Sequence, residues 1–143
     1  MPDPKSSVLK RWFEEVWNQG REEVIDELAA PDVVAHDLVD ARGRRISGRE
    51  VFHSFWHEFR ATFPDIQIEV DDVLIDGEKE LVRCTARGTH TGAAMGMTAT
   101  HKPVQFKGMV MARIRDGQLV EVWENWDFLG MYQQLGAAPA PMV

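Results

Sequence analysis

Between residues 49 and 63, Val51, Phe52, Phe55, Trp56, Phe59 and Phe63 recur at a spacing that gathers them within roughly 140° of a helical wheel turning about 100° per residue. That pattern predicts a long amphipathic helix from Arg49 to Phe63, stopped by Pro64. Earlier in the chain, Ser6 or Ser7 can cap a helix that carries Val8, Trp12, Phe13, Val16 and Trp17 on one side and ends at Asn18-Gln19-Gly20. A shorter helix over 22–28 turns Val24, Ile25 and Leu28 inward and stops before Pro31. Val33 to His36 then reads as a short strand, and the polar segment 42–48 as a small hairpin or loop. After Pro64 the period changes to two: strands are predicted over 66–75, 81–91, 104–115 and 118–126. Asp76-Gly77 and Asp116-Gly117 supply the tight turns between them. Ile66, Ile68 and Val70 share one parity while Val73 and Ile75 share the other, so a β-bulge is expected near Asp71 or Asp72. Residues 92–98 read as a loop, and a last short helix follows Trp126.

Helices gathered early and strands gathered late make an α+β protein, in which a curved antiparallel sheet wraps a long helix and leaves an apolar cone inside. The 143 residues suit a single domain, 1–143, with residues 1–5 and 137–143 expected to be flexible. Composition adds exclusions. A formal net charge of −7 argues against a nucleic-acid partner, because phosphate binding needs a basic face. No apolar run is long enough to span a membrane, and the first residues lack the apolar segment of a signal peptide, so a cytoplasmic location is expected. Cys84 stands alone, which removes disulfides and thiolate metal sites from consideration. His53 and His57 have a metal-compatible spacing, but they lie on the arc opposite the apolar stripe with no third ligand evident; a solvated face is expected and no metal.

Candidate chemistry concentrates near the end. In the last strand, period two puts Val120, Val122, Glu124 and Trp126 on one face and Leu119, Glu121, Trp123 and Asn125 on the other. If the valines line the cone, Glu124 lies in it beside Trp126, where burial would raise its pKa toward the range of a general base. Asp127, at the start of the terminal helix, is the natural N-cap and would hold local geometry. His36 is either a half-buried histidine satisfied by backbone or an acid–base group in the cone; His90 is either an exposed histidine at a strand end or a group at the cavity mouth. Trp17, Phe55, Phe59, Met95, Met97, Phe106 and Trp126 supply the apolar walls or the core.

The segments FPDIQIEV (63–70), RGTHTG (87–92), RIRDGQLVEVW (113–123) and WDFLGMYQQLG (126–136), with VWNQGREEVIDELAAPDVVAHD (16–37) before them, together resemble the SnoaL-like polyketide cyclases of the NTF2-like (ketosteroid-isomerase-like) superfamily. The resemblance implies a cone-shaped barrel, a homodimer packed through the outer face of the sheet, and no cofactor or metal. It implies an intramolecular aldol closure driven by one carboxylate on the last strand, here Glu124 where the cyclases carry Asp. Positions that are polar in the cyclases are Val110 and Val122 in this chain. The expected function is therefore a cyclase- or isomerase-type enzyme for a mid-sized, polyketide-like apolar carbonyl compound, with Glu124, His36, His90 and Asp127 as its site. The alternative is a non-catalytic pocket or dimerising module of the same fold.

Overall fold

The computed structural model describes residues 6–39, 43–93 and 97–137. Met95 and the terminal segments 1–5 and 138–143 lie outside the described residues. Helix α1 (Val8–Arg11) runs directly into a π-helical segment, Trp12–Asn18, where Gln19 N donates to Glu14 O, five residues back. The wider turn brings Trp12, Phe13, Val16 and Trp17 all into the core. Ser7 caps α1 by accepting from Lys10 N at 3.0 Å. The remaining helix-start donors meet a carboxylate the sequence pattern does not flag. Glu80 accepts from Ser7 Oγ at 2.6 Å, Leu9 N at 3.0 Å and Val8 N at 3.1 Å. Asn18 then clamps the segment to the sheet, donating to Ile68 O at 2.8 Å and accepting from Ile68 N at 2.6 Å.

Helix α2 (Glu23–Leu28) leads into β1 (Ala29–Val39), β2 (Arg45–Ser47) and α3 (Arg49–Thr62). The strands β3 (Gln67–Asp76), β4 (Lys79–Thr89), β5 (Pro103–Arg115) and β6 (Gln118–Trp126) form the meander, and α4 (Phe128–Gln134) closes the described chain. The six strands make one sheet in the order β2-β1-β6-β5-β4-β3. The expected all-antiparallel sheet is mixed, because β1 runs parallel to β6. β1 is also much longer than the expected 33–36: Pro31, which has no N–H to give, sits in the unpaired gap between Ala29↔Leu119 and Val34↔Glu121. Segment 42–48 contributes β2 as an edge strand.

The core lies between the concave face of the sheet and the helices. On α3 the buried face is Phe52, Phe55, Trp56 and Phe59, continued by Phe63 beyond the helix; Val51, expected with them, is 37 % exposed at the rim of the arc. Trp56 donates Nε1–H to Val16 O at 3.1 Å, which ties α3 to the π-helical segment. The bulge expected near Asp71 is present, with Val70 facing Cys84 and Asp72 facing Arg83. A second bulge, at Val120, was not expected. Ile114 pairs with Leu119 and Arg113 with Glu121, so Val120 has no partner of its own. Leu119 therefore takes the core position assigned to Val120, and the even parity of Val122, Glu124 and Trp126 starts only after the bulge.

Candidate functional site

The inner face of the sheet alternates large and small residues in a way that shapes a cavity. β5 turns Val104, Phe106, Gly108, Val110 and Ala112 inward, and β4 turns Val82, Cys84 and Ala86 inward. Gly108 pairs with Trp126 and Val110 with Glu124 across the β5–β6 ladder. The small side chains leave space under α3 that Phe55, Phe59 and Trp17 only partly fill. The resulting cavity is lined by these three with Phe13, Phe52, Phe106, Trp126 and Phe128, and Glu124 is its acid. Its free volume is about 40 Å³, room for about three waters at roughly 10–15 Å³ each. A second apolar cavity of about 30 Å³, lined by Leu9, Trp12, Val33, Ile46, Val110 and Val122 among others, touches the other side of Glu124.

Glu124 is half-buried, and the surface it keeps opens onto these two apolar spaces. Burial pushes its carboxyl up to about 7; a hydrogen bond from Trp126 pulls it down, and the charge of Asp37 pushes it up. Trp126 Nε1 donates to Glu124 Oε1 at 3.1 Å, and the Glu124 backbone N donates to Asp37 Oδ2 at 3.2 Å. A carboxyl poised near neutrality can take a proton from a carbon acid and return it at physiological pH. Cys84, on the same inner face, is fully buried, and burial pushes its thiol up to about 12, which makes it a small apolar group rather than a nucleophile.

The other expected site residues do not gather around Glu124. His36 projects from the outer face of the sheet, where Nε2 lies 2.9 Å from Glu121 Oε2 and the ring stacks on Trp123 at 5.1 Å between centroids. It lies opposite the cone because Val33 and Ala35, of the other strand parity, hold the inward positions and leave His36 beside Glu121 and Trp123. His90 is fully buried, yet it lines neither cavity. Its Nδ1 accepts from Thr100 N at 3.1 Å and sits 2.9 Å from Thr100 Oγ1, while its ring packs on Phe63 at 5.7 Å. Its backbone pairs as well, its N–H donating to Lys102 O at 3.0 Å and its carbonyl accepting from His101 N at 2.8 Å, so it ties residue 90 to residues 100–102. Among the described residues its Nε2 has no hydrogen-bond partner. Asp127 caps α4 through Gly130 N at 2.9 Å and is exposed. Of the apolar candidates, Trp17, Phe55, Phe59, Phe106 and Trp126 line the cavity; Met97 packs partly buried against the core instead.

His57 is exposed, as the solvated-face reading expects, and His53 is half-buried; both pair with carboxylates, His53 lying 2.9 Å from Glu22 Oε2 and 2.8 Å from Asp26 Oδ1 and His57 2.5 Å from Glu22. Among the described residues no group of three or more His, Cys, Asp or Glu is arranged to hold a metal. Arg83, Arg87 and Arg113 all pair outside the cone, with Asp72, Glu69 and Glu121 respectively. The pattern reading names Phe13 and Phe52 only as members of apolar helix faces and does not assign them to the cavity, and it does not single out Asp37 or Gly108. Gly108 had a legible signal, since a glycine inside a strand often marks a close approach of another group. Asp37 had none, because its contact crosses from β1 to β6.

The profile of a family described as SnoaL-like polyketide cyclase matches residues 7–135. No curated protein matches the chain. Among solved structures, wild-type IdmH of Streptomyces antibioticus, described as a candidate polyketide cyclase, is 34 % identical with a TM-score of 0.79, covering 94 % of this chain and 99 % of its own. A candidate polyketide cyclase from Bacillus cereus ATCC 10987 is 27 % identical with a TM-score of 0.77, covering 92 % of this chain and 80 % of its own. TsrD of Streptomyces laurentii, at 22 % identity and a TM-score of 0.81, covers 96 % of this chain and 99 % of its own and shares the fold.

Proposed function

The chain belongs to the SnoaL-like polyketide cyclase family, and from that premise we propose that it is a cofactor-independent cyclase- or isomerase-type enzyme acting on a mid-sized apolar carbonyl compound. The observation that carries this reading is Glu124: one acid, held near neutrality by burial, in an otherwise apolar and largely aromatic cavity. The carboxylate takes the acidic proton next to a substrate carbonyl. The resulting enolate carbon attacks a second carbonyl of the same molecule, a carbon–carbon bond forms, and the new alkoxide recovers the proton from Glu124. Proton and charge balance without a further reagent.

His36 and His90 take no part in this scheme, since neither lines the cavity. The aromatic walls leave so little free volume that a substrate of that size requires side chains such as Phe55 and Phe59 to rotate aside. A homodimer packed through the outer face of the sheet belongs to the same proposal, and the cross-strand row Leu74, Leu81, Met111 and Trp123 on that face supports it. The test of function is Glu124→Gln, assayed against polyketide-like 1,3-dicarbonyl compounds. The variant is expected to fold as the parent does and to lose turnover; full turnover ends the catalytic reading. The second reading, a pocket that binds without reacting, is favoured by one observation: Val110 and Val122, buried beside Glu124, supply no second polar group. Ligand binding without proton exchange in the parent protein would select it.

A further inference from the structure

We propose that Trp126, seated on Gly108, is a positioning residue that holds one oxygen of the Glu124 carboxyl and so leaves the other, Oε2, as the proton-accepting atom. The proposal rests on the reading of Glu124 as the base.

Glu124 and Trp126 are two apart on β6 and project to the same face, so the indole N–H lies beside the carboxyl. The bond from Nε1 to Oε1 is 3.1 Å. Among the described residues the only side-chain hydrogen bond to the carboxyl is this one to Oε1, which leaves Oε2 available to the cavity that Glu124 lines. The indole itself has few ways to move. It lies against the backbone of its cross-strand partner Gly108, where a Cβ would fall inside the contact radius of indole Cε3 and Cδ2. Phe13 and Phe106 pack edge-on against it at 6.0 and 5.9 Å between centroids. The main chain of Glu124 is fixed separately, by the bond from its N–H to Asp37. The carboxyl thus has its backbone held from β1 and one oxygen held from β6. That removes rotational freedom from the group that must meet a carbon acid, and angular precision of this kind is what proton transfer requires. The same bond stabilises the charged form, opposing the effect of burial and of Asp37, so Trp126 sets basicity as well as direction.

The test is a carbon-detected NMR titration of the Glu124 side chain in the ligand-free full chain, comparing the parent with Trp126→Phe, Gly108→Ala and Asp37→Asn. Trp126→Phe keeps the aromatic wall and removes the donor; its midpoint is expected to rise by at least about 0.5 unit. Gly108→Ala, which displaces the indole, should move the midpoint in the same direction. Asp37→Asn should lower it. A folded Trp126→Phe protein whose Glu124 titrates at or below the parent midpoint overturns the proposal, even if it is less stable. If Gly108→Ala does not fold, Trp126→Phe decides alone. The titration needs no substrate, whereas a parent protein that titrates as expected but never exchanges a carbon-bound proton of an added 1,3-dicarbonyl compound defeats the catalytic reading instead, so the two failures are distinguishable.

Discussion

The burial of Glu124 between two apolar cavities has a consequence for stability. Its folded pKa, about 7, lies above the ordinary 4.5 of a glutamate. A carboxyl raised on folding binds its proton more tightly in the folded state. The stability it confers is therefore fully present below about pH 4.5 and is lost as pH rises through about 7. Unfolding free energy is expected to fall by about 1–3 kcal/mol across that window, and Glu124→Gln should remove most of this dependence in chemical denaturation series. The inward direction of Glu124 was legible from period two and its neighbours Val122 and Trp126. The bulge at Val120 was not, because Leu119 and Val120 are both apolar and either parity satisfies the pattern before Val122. The bulge at Asp71 was legible because two acids interrupt the alternation of isoleucine and valine there. His36 and His90 were ambiguous for a different reason: a lone histidine in a strand carries no sign of which face its neighbours leave open to it.

At the scale of elements, the helices were readable from their apolar stripes, whereas the contacts that anchor them were not. Glu80 of β4 caps α1 across more than seventy residues, and no local pattern announces such a partner. The pairing of α2 with α3 is similar. Burial pulls the His53 pKa down, but hydrogen bonds to Asp26 and Glu22 outweigh it, and the pKa lies above its ordinary value. The sign follows: this link is intact at low pH and is lost as pH rises through the raised folded pKa of His53. Between about pH 6 and pH 8 the parent should lose stability relative to His53→Gln, by less than about 1 kcal/mol because the group is partly exposed to solvent. Melting curves of the two proteins at both pH values check this. Parallel behaviour would mean that His53 does not tie α2 to α3 electrostatically.

For the whole molecule, the order of helices and strands was enough to give α+β and the cone. The parallel pairing of β1 with β6 lay beyond reach, since it depends on a strand that crosses Pro31 and on the chain returning beside the last strand. Among the described residues no helix is long and apolar enough to cross a membrane. The outer face carries its own prediction: Trp123→Arg, placed in the apolar row, should shift the protein toward monomer in sedimentation experiments, and unchanged mass would remove the proposed dimer from that face. On the inner face, the proposed role of Glu124, a single carboxyl between two apolar spaces, is to move a carbon-bound proton. The most direct measurement is deuterium uptake from D₂O at the acidic carbon of a bound 1,3-dicarbonyl compound, followed by NMR against pH for the parent and Glu124→Gln. Uptake is expected to rise with pH through about 7 in the parent and to fall by about 10²-fold or more in the variant. Equal uptake by both proteins, or a parent profile indifferent to pH across that range, would contradict that role.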